Sequence, residues 1–147
     1  MKTIKNTQNR AALIARIETL TNAHTPKWGK MDAFQMVKHG IISEEMYLGK
    51  KTYKRLFIGK IFGKMSLKSI LKNENPMKQN QPTHPDFKIT GSGNLDEAKK
   101  QWISLLQEYE TSNNTTFVHP FFGKMTPDQI GKYVYKHTDH HLRQFNV

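Results

Sequence analysis

Thr126-Pro127-Asp128-Gln129-Ile130-Gly131-Lys132-Tyr133-Val134-Tyr135-Lys136-His137-Thr138-Asp139-His140-His141-Leu142-Arg143-Gln144-Phe145 is the stretch on which the reading of this chain turns. It opens as a capping box, with Thr126 as N-cap, Gln129 three residues on, and Pro127 at the first helical position. A helix is predicted from Thr126 to about Phe145. At about 100° per residue, Ile130, Val134, His137 and His141 fall within roughly 60° of one another. Gln144 lies at the edge of that arc. The two histidines continue the apolar stripe and are expected to point inward. Four residues apart, they stack a turn apart on one face, where both can reach one metal ion. Asp139 is predicted to face away. His140 stands about 60° to one side of His137. It is a rival ligand through an i, i+3 pair with a poorer angle.

Three further helices are predicted upstream. Residues 6–21 place Leu13, Ile17 and Leu20 at helical spacing. A second helix starts at Asp32, a good N-cap, and runs to about Leu48, where Gly49 stops it. A third runs from Leu95 to Thr111 with Leu95, Trp102, Leu105, Leu106 and Tyr109 as its apolar set. Residues 50–72 read as one or two short basic helices interrupted by Gly59 and Gly63. Residues 73–93 hold Pro76, Pro82, Pro85, Gly91 and Gly93 and read as a long loop, of the kind that often covers a site. No strand-period alternation of useful length is present. The expected fold is all-α: an antiparallel-type four-helix bundle with a long irregular crossover between helices two and three. At 147 residues the chain reads as a single domain, residues 1–147.

The absence of cysteine excludes disulfides, iron–sulfur clusters and a cysteine nucleophile. No leader pattern and no membrane-spanning run is evident, so a cytoplasmic protein is expected. Charge is uneven. Residues 1–72 hold 15 Lys or Arg against 4 Asp or Glu, and residues 73–147 hold 8 against 8. Only the first half therefore has an electrostatic reason to attract anions. The segment from Lys50 to Lys64 has six basic residues and no acid, with Tyr53, Phe57, Ile58, Ile61 and Phe62 among them. Inward packing of these apolar side chains against the bundle is the expectation.

An aromatic-Gly-Lys-Met pattern recurs as Trp28-Gly29-Lys30-Met31-Asp32, Phe62-Gly63-Lys64-Met65-Ser66 and Phe122-Gly123-Lys124-Met125-Thr126. Each copy ends on a good N-cap, so each reads as a device that starts a helix.

His39 shares its helix face with Met36, Ser43 and Met46, and so also points inward. Three imidazoles turned into one core would leave polar nitrogens unsatisfied unless they share a partner. A divalent metal is such a partner. Three neutral nitrogens leave a coordination position open, as in a catalytic site. All-imidazole ligation suits zinc, nickel, iron or copper, with zinc and nickel the leading expectations. Gln144 and His140 are expected beside the ion, in its supporting shell or in a substrate pocket. Glu44 and Glu45 are the candidate general bases. His24, His84 and His119 are predicted in loops, as surface or turn residues.

The segments from Trp28 to His39, from His119 to Gln129 and from Lys136 to Phe145 resemble the DinB-like superfamily, and its DUF1569 branch in particular. The resemblance covers nearly the whole chain and is weakest at 50–90. It implies an up-down-down-up four-helix bundle with a metal held by one histidine of the second helix and two of the last. By position these are His39, His137 and His141. Relatives of that superfamily include thiol-dependent S-transferases and a maleylpyruvate isomerase. The resemblance implies a metal-dependent enzyme that activates a thiol or water. Its substrate is expected to be a small molecule, and its co-substrate a low-molecular-weight thiol. Two rival readings are a non-catalytic basic module for nucleic acid or an acidic membrane surface, and a structural bundle that acts as a homodimer.

Overall fold

The computed structural model describes residues 1–112 and 117–147. Among these are five α-helices: α1 (Thr7–Thr19), α2 (Ala33–Tyr47), α3 (Phe57–Ile70), α4 (Leu95–Gln107) and α5 (Pro127–Gln144). A short antiparallel hairpin, β1 (Val118–His119) with β2 (Gly123–Lys124), precedes α5. The chain is mostly helical, as predicted, with a small sheet that alternation did not reveal. Two residues per strand are too few to leave a period in the sequence.

The helix starts are chemical. Asp32 and Gln35 form a reciprocal capping box on α2, and Thr126 and Gln129 form another on α5. Asn6 caps α1 and Asn94 caps α4 through their side-chain oxygens. The aromatic-Gly-Lys-Met pattern starts a helix in two of its three copies. Gly29 and Gly123 take nearly the same left-handed backbone, at φ 81° and 80°, ahead of Asp32 and Thr126. The middle copy lies inside α3, where Ser66 caps nothing.

The core joins faces of α1, α2, α4 and α5. α2 packs on α4, α1 packs on both α4 and α5, and α2 also packs on α5. Leu13 and Ile17 of α1, Met36, Val37 and Ile41 of α2, Trp102 and Leu106 of α4, and Val134 and Leu142 of α5 are essentially fully buried. Gly40 lets α2 approach α4: a Cβ there would meet the Trp102 ring at 2.5 Å.

The connection between α2 and α4 departs from expectation. Gly59 and Gly63 do not interrupt α3; they are its packing face. Both are buried, and a Cβ at either would run into the backbone of Phe121. The Leu56 N–H donates to the Pro120 carbonyl at 3.0 Å and ties the start of α3 to the hairpin loop. Because glycines take the inner face, the large side chains go outward. Phe57, Ile58, Ile61 and Phe62 are exposed, contrary to the inward packing expected of them. After α3 the chain crosses back to α4 through a 3-10 turn at Pro85–Phe87. The Lys136 ammonium pins the start of this crossing by donating to the carbonyls of Ile70 and Asn73.

Glu44 lies in the core between α2, α4 and α5, 1% exposed. Tyr109 donates to its Oε2 at 2.6 Å, and Thr138 reaches Oε1 at 3.4 Å. Burial pushes its carboxyl up to about 7, against the pull of Tyr109, Trp102 and Thr138. In the unfolded chain the value is near 4.5. The folded state thus holds the extra proton between these limits. Stability falls as pH rises through that window, and the deficit persists above it. Glu44→Gln removes the charge and keeps an acceptor for Tyr109. It is expected to gain about 2 kcal/mol over the parent at pH 8 relative to pH 5. Urea unfolding of both proteins at the two pH values checks this; a difference independent of pH would contradict the assignment.

Candidate metal centre

Two helices bring the three predicted histidines together. α2 carries His39 on the face of Met36 and Ser43, both buried. α5 carries His137 and His141 one turn apart below Ile130 and Val134. Their candidate ligand nitrogens all lie within 4.8 Å of one another. The ring centroids of His39 stand 5.4 Å from His137 and 4.8 Å from His141. His39 and His141 are buried, while His137 is only partly buried.

The outer nitrogens decide what the inner ones can do. The Nδ1 of His39 lies 3.2 Å from the Phe87 carbonyl, which only accepts, so Nδ1 carries the proton and Nε2 is left with a lone pair. The same logic orders His141 through two steps. The Gln144 amide nitrogen donates to the Trp28 carbonyl at 2.6 Å, which fixes which end of the amide is oxygen. That oxygen then accepts from His141 Nδ1 at 3.0 Å, and His141 also presents a bare Nε2. Gly29 makes the room: a Cβ there would meet the Gln144 amide nitrogen at 2.7 Å.

The Nε2 atoms of His137 and His141 are 3.2 Å apart. Two bare nitrogens at that separation repel unless a proton or a cation lies between them. Two imidazoles on one tetrahedral zinc, each bonded at 2.0–2.1 Å, stand about 3.3 Å apart. The donor set therefore fits a divalent ion without rearranging this pair. Electrostatics favour the neutral, ligating form. Burial lowers the pKa of His39 despite the Phe87 hydrogen bond. His137 and His141 are held well below the usual histidine value, by burial first and then by the neighbouring imidazoles.

His140 is outside the cluster. Its ring sits 5.4 Å from Trp28 and 5.2 Å from His141, so it borders the centre and does not replace His137 or His141 in it. Gln144 touches His141 directly. Neither Glu44 nor Glu45 joins the histidine cluster: Glu44 faces the core, and Glu45 pairs with Lys51 at 2.7 Å. Asp139 faces away, bound by Arg16 and Arg143 at 2.6 Å each. His24 and His84 are turn residues whose Nδ1 atoms accept backbone N–H groups. His119 does the same for Phe121 and Phe122 but is buried, not superficial, and burial brings its pKa down to about 3.

Three neighbours were missed from sequence. Tyr133 stacks on His137 at 5.7 Å, and Tyr47 meets its edge at 6.2 Å. Their spacings were available: Tyr133 is four residues before His137, and Tyr47 is eight after His39. The third is Phe87, which acts through its carbonyl and leaves no side-chain signal.

A family model described as "Protein of unknown function (DUF1569)" matches residues 3–147. The chain belongs to the DUF1569 family. No curated protein and no solved structure matches it. In this DUF1569 protein the three histidines can hold a metal ion, and the Gln144–Trp28 contact supports one of them. Gln144→Leu removes the acceptor that orients His141. It is expected to weaken zinc binding about 10- to 100-fold while leaving the fold intact. Competition with a chelating dye measures this; an unchanged affinity would show that the amide does not orient the ligand.

Proposed function

We propose that this DUF1569 protein is a metal-dependent enzyme whose centre, held by His39, His137 and His141, activates a thiol or a water. The observation that carries this reading is the convergence of three histidine nitrogens within 4.8 Å, with the Nε2 atoms of His137 and His141 3.2 Å apart and, among the described residues, no carboxylate in the group. A closed structural site would use four protein ligands, whereas three leave a position free. Of the three histidines, His137 is the least buried. The bound ion would supply Lewis acidity, lowering the pKa of a thiol or water near it.

The protein's own groups have separable roles. Phe87 and Gln144 hold the tautomers of His39 and His141. Tyr133 and Tyr47 wall His137 with aromatic surface and exclude water from that side. His140, whose pKa burial lowers, borders the centre beside Trp28 and in this reading would accept a proton from substrate. The proposed partner is a low-molecular-weight thiol with a small electrophilic substrate, in keeping with the DinB-like resemblance. The mutual packing of α1, α2, α4 and α5 supports the bundle of up-down-down-up type that this resemblance implies. Zinc and nickel are the ions we favour.

Untagged protein is expected to carry close to one ion per chain. His39→Ala and His141→Ala should each lower bound metal at least about ten-fold, read by elemental analysis. His140→Gln should retain metal and lose thiol transfer to an electrophilic probe. Metal content unchanged in both alanine variants would remove the centre; transfer unchanged in His140→Gln would remove its role.

A further inference from the structure

α3 presents a surface that the metal centre does not use. Phe57 is 76% exposed, Ile58 56%, Ile61 61%, Phe62 46% and Met65 65%. At about 100° per residue these five span one arc about 140° wide. Gly59, Gly63 and Leu67 occupy the opposite, buried side. The orientation is imposed: rolling the apolar arc inward would drive side chains into the Phe121 backbone, which only glycine tolerates. The exposed apolar face is thus a built feature of the helix seat.

Its charge setting is one-sided. From Met46 to Asn73 there are eight Lys or Arg and no Asp or Glu. Lys60, Lys64 and Lys68 follow one margin of the apolar arc, and Lys54 and Lys72 flank the helix; all five are exposed. Among the described residues no ion pair engages any of them. The α3 helix has 14 residues, and among the described residues no helix is long and apolar enough to cross a membrane.

We infer that the outward face of α3 docks on an anionic lipid bilayer, lying in the plane of its surface. An amphipathic helix with aliphatic and aromatic residues on one face and lysines along the margin is suited to the headgroup boundary, where lysine stems lie over apolar surface and the ammonium groups meet phosphates. Two other occupants fit less well. A second copy would bring two uncompensated lysine rows together. Single-stranded nucleic acid would find phosphate contacts and the rings of Phe57 and Phe62, but Ile58, Ile61 and Met65, three of the five apolar side chains, offer no ring on which a base can stack.

The test is co-sedimentation of the full chain with vesicles of phosphatidylcholine alone and with about 30% phosphatidylserine, across a salt series. Binding is expected to the anionic vesicles, to weaken as salt rises, and to be at least about ten-fold lower on neutral ones. Ile61→Asp, and separately Lys60→Gln with Lys64→Gln, should each reduce anionic binding about ten-fold. All these positions are exposed, and unchanged circular dichroism and metal content would show that fold and centre persist. The lipid assignment is overturned if the parent does not bind anionic vesicles at low salt, or if both variants bind as the parent does. It is equally overturned if the variants abolish only self-association or only binding to a single-stranded oligonucleotide.

Discussion

Two outer N–H groups, on His39 and His141, have to be given to oxygen acceptors before the inner nitrogens of these rings can present lone pairs to one another. Once Phe87 and Gln144 take those protons, lone pairs face one another across a few ångströms of buried space. Most of the surrounding architecture serves that condition. The crossover between α2 and α4 delivers the Phe87 carbonyl. The turn before α2 delivers the Trp28 carbonyl that orients Gln144, and Gly29 clears the space for it. α5 carries two of the imidazoles and the amide that supports one of them. Removing any of these acceptors would leave a buried polar group unmatched or turn a ligand away.

The same economy explains why, among the described residues, no carboxylate joins the three histidines. Glu44 is close in sequence to His39 but is spent in the core, under Tyr109 and Thr138, where burial keeps its proton near neutrality. The centre remains a set of neutral imidazoles. An ion held there keeps its full charge and is a stronger acid toward whatever occupies the free position. The rings of Tyr47 and Tyr133 lie against His137 on one side.

How much of this was legible depended on whether the information lay in side-chain spacing. The α5 capping box, the His137/His141 stripe and the inward face of α2 were readable because helical period converts spacing into direction. The support of His141 by Gln144 was foreshadowed by the edge of the same arc. The Phe87 contact was not, since a backbone carbonyl has no residue code. Helix α3 misled in an instructive way. Glycines at i and i+4 look like interruptions, yet they are the close-packing face, and their presence forces the apolar residues outward. The middle aromatic-Gly-Lys-Met copy failed as a helix start for the same reason. His119 was judged by its loop position, but a loop that ends in a tight hairpin can bury its own capping residue.

Charge and site are also divided along the chain. The neutral second half carries two of the three histidines, and the basic excess lies largely on and around α3. One ion shared by His39, His137 and His141 is what their geometry calls for, and X-ray absorption at the edge of the metal found in untagged protein reads its shell. One ion with three imidazole nitrogens at about 2.0–2.1 Å, reduced to two in His39→Ala, is expected for zinc. An ion whose shell lacks imidazole, or whose spectrum is the same in His39→Ala, would contradict it.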